Sequence, residues 1–408
     1  MALTVGIDLC DDYTMVYVSG AEAPEYMPTV ICREKKNEYW YIGEEAYRKA
    51  LSGQGVLTDK LVSLMKKEGR STVGGRTYTS VELCTVFLRM ALETALGEQT
   101  IADIDRLCLV LHRPDRLLMD TVSEALAEMG LKKGSFRIAS HAEAFMHYVL
   151  KGDKELYNNL VGLYDLSEDS FSYYEFRVIR GLSRLNASCE GTDLEEAFHL
   201  DVLKTDSGRK LADHIIAECA RKLMDKKIFS SVFLTGKGFE DLEWAEEFKE
   251  YICRRKRVIY EDGLFARGAE IYAAKELSGA NEDILMLCDS RMTSEIGMNV
   301  IVAGRQSRLV LAPAGIPWYG YSAHVEFIPY RQDGIEIDIY PSDRHKSRIS
   351  RTVGLKELEL PVRPERCTRI SMDLSLIGQS DMEIRLRDMG FGEFFPATGA
   401  EIVSEMDF

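Results

Sequence analysis

The chain is 408 residues long, 46% apolar and 29% charged, with a formal net charge of -15. That size and apolar share suit two or three domains with real cores and exclude a disordered chain. The acidity argues against nucleic acid or an anionic lipid surface as a partner, and no run reaches the ~18 uninterrupted apolar residues of a membrane-spanning helix.

The N-terminal MALTVGIDLC lacks the basic segment and apolar run of a secretion signal. From Leu3 to Val18 the residues are β-rich, broken at Cys10-Asp11-Asp12, which predicts two strands and a tight turn. Val81 to Leu96 puts Val81, Cys84, Leu88, Leu92 and Ala95 on one stripe and predicts an amphipathic helix. Arg106 to Leu111 reads as a buried strand, and Thr121 to Met129 and His141 to Leu150 as helices. A second strand pair is expected over Leu160 to Val178, with a polar turn at Ser167 to Ser170. Helices follow at Lys210 to Lys226, Asp241 to Cys253 and Phe265 to Leu277, with a strand at Ser231 to Leu234 running into Thr235-Gly236-Lys237-Gly238. After Ser278-Gly279-Ala280-Asn281 the pattern turns to strand after strand, with turns at Ala303-Gly304, Asp333-Gly334 and Gly378-Gln379.

The nine cysteines are scattered, odd in number and contain no C-x-x-C pair. This argues against a zinc or disulfide framework and for reduced thiols in the cytosol. His141 and His147 read as ordinary helix residues, and Arg254-Arg255-Lys256-Arg257 as the basic end of a helix.

Several segments together resemble the seventy-kilodalton heat-shock chaperone family of the actin-like superfamily. Gly6-Ile7-Asp8-Leu9 is similar to the family's first phosphate hairpin and Tyr164-Asp165-Leu166 through Phe171 to the second. Pro28-Thr29-Val30 with Tyr41-Ile42-Gly43-Glu44-Glu45-Ala46, the helix end Tyr148-Val149-Leu150 and the glycine turn Leu234-Thr235-Gly236-Lys237-Gly238 fall in the family's order. So do the closing helix around Gly268-Ala269 and the apolar segment Asp283-Ile284-Leu285-Met286-Leu287. The resemblance implies an α/β actin-like nucleotide domain over residues 1–279, duplicated in the ribonuclease H-like manner, with the adenine-side subdomain trimmed. It further implies a linker at 280–287 and, over 288–408, an all-β sandwich like a chaperone substrate-binding domain, without a helical lid.

The resemblance offers Asp8 and Asp165 as candidates to hold magnesium, Lys60 for the catalytic lysine, and Gly236 and Gly238 for the nucleotide side. Two turns depart from the family pattern. Where glycine and small hydroxyl residues would face the phosphates stand Cys10-Asp11-Asp12 and Ser167-Glu168-Asp169-Ser170. Asp11, Asp12, Glu168 and Asp169 would repel a triphosphate, since a like-charge pair ~4 Å apart costs about 4 kcal/mol at an effective dielectric near 20. Asp8 and Asp165 therefore read either as metal or nucleotide ligands or as polar turn residues that came with the fold. Trp318, Tyr319 and Tyr321 read either as the lining of a partner groove or as packing between sheets.

The expected protein is a divergent, chaperone-like, non-hydrolysing scaffold. It needs no cofactor and binds a peptide or protein partner through its β module. The alternative is an active divergent ATPase using ATP and magnesium in a nucleotide-driven cycle. A small-molecule kinase of the same superfold would need a general base and a substrate cleft, neither of which the sequence offers.

Overall fold

The computed structural model describes residues 2–37, 39–168, 170–180, 185–254, 256–278, 284–330, 334–342, 346–358 and 360–408. The chain divides into two compact units, Met1–Ile284 and Leu285–Phe408.

The first unit opens with β1 (Thr4–Leu9), β2 (Tyr13–Val18) and β3 (Glu25–Pro28), then β4 (Ile31–Glu34), β5 (Trp40–Ile42), α1 (Gly43–Leu51), β6 (Gly55–Thr58), α2 (Leu61–Met65), β7 (Arg70–Val73) and β8 (Arg76–Thr79). It continues with α3 (Ser80–Leu96), β9 (Arg106–Leu111), α4 (Arg116–Glu128), β10 (Phe136–Ser140) and α5 (His141–Lys151). A second series follows: β11 (Leu160–Leu166), β12 (Phe171–Arg180), β13 (Leu185–Asp193), α6 (Asp206–Met224), β14 (Phe229–Thr235), α7 (Glu246–Ile252), β15 (Arg257–Tyr260) and α8 (Leu264–Ser278).

One sheet has the order β10-β9-β1-β2-β3, and the other runs β15-β14-β11-β12-β13. In each, a central strand (β1 or β11) pairs antiparallel with the next strand through a tight hairpin and parallel with a later one, β9 or β14. The third strand adds antiparallel and the fifth parallel in both sheets. The two halves therefore repeat one topology. All six residues of β1 are buried, as are six of the seven in β11. That explains why both read as continuous apolar runs rather than alternating ones.

Helix starts follow side-chain chemistry. A capping box joins Thr79 and Glu82 ahead of α3. Asp115, Ser140 and Thr205 accept backbone N–H bonds at the starts of α4, α5 and α6. Gly6 of β1 is held to glycine by packing. A Cβ there would lie 2.0 Å from the Ala266 carbonyl oxygen of α8 and 2.4 Å from the Glu270 nitrogen. Gly268 serves the same end one helix over, with a Cβ position 2.2 Å from the Ala144 carbonyl oxygen of α5. Close contact among β1, α5 and α8 is what brings the N-terminus of α5 to the end of β1.

Around this frame sit a small three-stranded sheet, β5-β4-β6, and the β7-β8 hairpin. Neither follows from the local sequence pattern.

The second unit holds β16 (Ile284–Leu287), which begins at its boundary, then β17 (Ser294–Val302), β18 (Arg305–Ala312), β19 (Ser322–Phe327), β20 (Gly334–Pro341), β21 (Ile349–Gly354), β22 (Ile370–Leu376), β23 (Asp381–Asp388) and β24 (Glu401–Asp407). Two antiparallel sheets have the orders β18-β17-β20-β21 and β19-β22-β23-β24. Their inner residues alternate along each strand: Ile335, Ile337 and Ile339 in one sheet, Ile370, Met372, Leu374, Met382, Ile384 and Leu386 in the other. Of the expected linker, residues 280–283 lie outside the described residues, and 284–287 form β16. Among the described residues, no helix is long and apolar enough to cross a membrane.

Candidate functional site

The β1–β2 turn is closed by Cys10 N–H donating to the Tyr13 carbonyl at 3.0 Å, and the β11–β12 turn by Ser167 N–H donating to the Ser170 carbonyl at 2.8 Å. The two turns face each other, and side chains fill the space between them. Tyr13 is the bridge. Its hydroxyl donates to Asp8 Oδ2 at 3.2 Å and lies 3.5 Å from Ser167 Oγ. Ser167 Oγ donates to Asp165 Oδ1 at 2.7 Å and Ser170 Oγ to Asp165 Oδ2 at 3.2 Å. On the other side, His141, the first residue of α5, sets Nε2 2.7 Å from Asp8 Oδ1. Cys10 donates its thiol to the same Asp8 oxygen at 3.5 Å, with Sγ 3.9 Å from His141 Nε2.

Water is largely excluded from this cluster. Asp8 is 1% exposed, Asp165 0%, His141 0% and Tyr13 7%. Phe265 of α8 stacks on the His141 ring at 3.8 Å between centroids, and His112 stands 5.4 Å away. His112 Nε2 lies 3.0 Å from Ser172 Oγ. Burial is the first cause of each titration shift here. It raises the Asp165 carboxyl to about 6, against opposing effects of His141 and the Ser167 hydrogen bond. It lowers His112 to about 3, aided by His141, and holds the Cys10 thiol and Tyr13 hydroxyl well above their ordinary values. The thiol, the phenol and the His112 imidazole are thus neutral at pH 7.

The structure brings some of the sequence candidates together and disperses others. Asp8 and Asp165 converge through Tyr13 and Ser167. Lys60 reaches the first turn in a left-handed backbone conformation (φ 52°), and its ammonium pairs with Asp12. Gly236 (φ +88°) and Gly238 allow close approach to the second hairpin. A Cβ on Gly236 would lie 2.5 Å from the Leu166 carbonyl oxygen, and one on Gly238 would lie 2.4 Å from the Leu166 side chain.

The picture of four carboxylates crowding one space needs correction. Asp11 turns to the first turn of α2, where the Ser63 N–H donates to it at 3.0 Å and the Ser63 hydroxyl bonds to it as well. Asp12 is paired by Lys60 and Glu168 by Lys237, the latter at 2.6 Å. Asp169 lies outside the described residues. Lysines brought in from elsewhere in the chain answer charges that the local sequence leaves bare.

Of the aromatic trio of the second unit, Trp318 packs in the core, while Tyr319 and Tyr321 are half-buried. Trp318 is 3% exposed, with its indole N–H on the Asp289 carbonyl at 2.9 Å, and the Tyr321 hydroxyl donates to the Leu311 carbonyl at 2.7 Å. Tyr319 sets its ring edge-on to that of Trp318.

Three members of the cluster are not evident from the sequence. There His141 reads as an ordinary helix residue, Cys10 as a departure from a glycine, and Tyr13 as part of a strand. The one signal that could have found His141 is its place directly after the Ser140 cap, at the junction of β10 and α5.

Next to the closed cluster lies an open cleft of about 730 Å³. It is lined by five carboxylates (Asp12, Glu168, Asp201, Glu240 and Asp241) against three bases (Lys204, Arg209 and Lys237), with Trp244 on one wall. Lys204 pairs with Asp201 at 2.6 Å and Lys237 with Glu168, so little positive charge remains to meet an anion. A smaller space of about 170 Å³, bordered by Tyr13, Tyr26, Ser167 and Gly236, separates the cleft from the cluster.

The contacts of Cys10 and His141 at Nε2 do not describe a nucleophile–base relay. A nucleophile–base relay needs the nucleophile on one imidazole nitrogen and the orienting carboxylate on the other. Here Asp8 and Cys10 share His141 Nε2. Asp8, Cys10 and His141 do bring three ligand-type atoms within 4.8 Å of one another.

Comparison with family models gives the same two-part division. The chain belongs to the family described as "Family of unknown function (DUF5716) C-terminal", whose model matches residues 12–289. Residues 291–408 match the "Domain of unknown function (DUF8552)". No curated protein matches the chain.

Proposed function

We propose that the protein is a degenerate, non-hydrolysing relative of the actin-like heat-shock chaperones, a rigid scaffold that holds a peptide or protein partner on its all-β unit. The repeated sheet topology, with a hairpin at the centre of each half, supports the superfamily placement. One observation carries the loss of nucleotide chemistry. The Tyr13 hydroxyl, in contact with Asp8 of one hairpin and Ser167 of the other, occupies the place between the hairpins where phosphates would enter. Asp8 and Asp165, which would face a hydrated magnesium ion, are 1% and 0% exposed, and both oxygens of Asp165 accept from Ser167 and Ser170, which leaves no room for the waters of that ion. The neighbouring cleft adds an excess of carboxylates.

For the partner site, sheet edges are the fitting element, because an edge strand offers unpaired backbone donors and acceptors to an extended segment. β24 ends its sheet, with β23 on one side, and carries Glu405 and Asp407 together with the half-exposed Val403. An extended, basic segment of a partner protein fits that edge. The enzymatic reading is checked by phosphate release from ATP and magnesium with the full chain. The scaffold reading expects none above the protein-free control. Turnover that disappears in Asp165→Ala would establish the ATPase instead.

A further inference from the structure

We propose that Asp8, Cys10 and His141 form a binding site for a divalent transition-metal ion of the zinc class. The first argument is the donor set. A carboxylate, a thiol and an imidazole combine hard, soft and borderline ligands, which suits zinc and its first-row neighbours and does not suit magnesium or calcium. The second is geometry. Metal–ligand bonds of about 2.0 Å to oxygen and nitrogen and about 2.3 Å to sulfur place tetrahedral donors about 3.3–3.6 Å apart. In this structure Asp8 Oδ1 and Cys10 Sγ are 3.5 Å apart, Cys10 Sγ and His141 Nε2 3.9 Å, and Asp8 Oδ1 and His141 Nε2 2.7 Å. Only the last separation must widen, by roughly half an ångström, to admit an ion.

The surroundings hold the donors in place. The three residues come from the end of β1, its turn and the start of α5, which the close packing of β1, α5 and α8 fixes relative to one another. Phe265 stacks on the His141 ring, and Tyr13 donates to Asp8 Oδ2, the carboxylate oxygen not directed at His141 and Cys10. An outer-shell bond of that kind orients a ligating carboxylate. On binding, Cys10 gives up its thiol proton and His141 presents an Nε2 lone pair, so uptake releases protons to solvent. The scattered cysteines gave no sign of this. The site uses one thiol, with its histidine 131 residues away. The site does not depend on the peptide-binding reading, and its test involves neither nucleotide nor peptide.

The experiment uses the full chain without a polyhistidine tag, stripped by chelator and dialysed against cobalt(II), then zinc(II). One cobalt per chain is expected, with a thiolate-to-cobalt charge-transfer absorption and the visible bands of a tetrahedral ion, all removed by zinc. Cys10→Ser should lose the charge-transfer absorption, and His141→Gln should weaken cobalt uptake by at least about tenfold. Wild-type protein that shows no charge-transfer absorption overturns the proposal, however the variants fold. An absorption undiminished in a folded Cys10→Ser protein also overturns it, because the ion would then sit on another cysteine.

Discussion

At the scale of single residues, Tyr13 and Asp165 decide how tightly the two hairpins are joined. Tyr13→Phe keeps the ring and removes the donor, leaving a buried carboxylate oxygen short of a hydrogen bond. The expected loss is about 1–3 kcal/mol in urea unfolding, with an unchanged slope. Asp165 gives a pH signature. Its folded value, about 6, lies above the ordinary 3.8. Its stabilising contribution is therefore complete below the unfolded value and is lost as pH rises through about 6, to the extent of ~3 kcal/mol. His112 acts in the opposite sense. Its folded value near 3 lies below the ordinary 6.5, so its contribution is present above 6.5 and lost as pH falls. The two cancel in part between pH 4 and 6 in the wild type. Comparison with Asp165→Asn isolates the carboxyl, and the variant should gain ~3 kcal/mol relative to wild type between pH 3.5 and 7. No gain in that difference would place Asp165 in a solvated setting. The partly exposed pairs Lys60–Asp12 and Lys237–Glu168 carry far less, and Lys60→Ala or Lys237→Ala should each shift stability by under ~1 kcal/mol.

At the scale of elements, the site exists because β1, α5 and α8 approach closely. Gly6→Ala would drive a methyl group into the Ala266 carbonyl, with no flexible side chain to yield. A loss above ~3 kcal/mol in thermal unfolding, or failure to fold, is expected. A well-folded Gly6→Ala protein with wild-type stability would show that β1 and α8 stand further apart. Long, locally specified elements were legible in the sequence. The β1–β2 and β11–β12 hairpins, α3, α5 and α8 follow from apolar pattern and polar turns. The apolar stripe alone predicts a start at Lys210, whereas Thr205 caps α6 five residues earlier. The β5-β4-β6 sheet was not legible. Its strands are three or four residues long, and its pairings, Ile31 with Ile42 and Ile31 with Thr58, are set by tertiary contact rather than by local pattern. The candidate site followed the same rule. Asp8 and Asp165 lie near the ends of strands that open recognisable hairpins, while His141 joins Asp8 across 133 residues, and Lys60 and Lys237 reach Asp12 and Glu168 across 48 and 69. No local reading of charge could have paired them.

At the scale of the whole molecule, a chain of net charge -15 carries its carboxylate excess into a broad cleft beside the hairpins. The closed cluster and the acidic cleft together oppose a triphosphate, the first by occupying its place and the second by its field. Isothermal titration of the full chain with ATP and magnesium tests this most directly. No binding heat is expected up to millimolar nucleotide in the wild type. Micromolar affinity that is lost in Asp8→Ala and Asp165→Ala would contradict it, because the nucleotide would then have displaced Tyr13 and reached both aspartates.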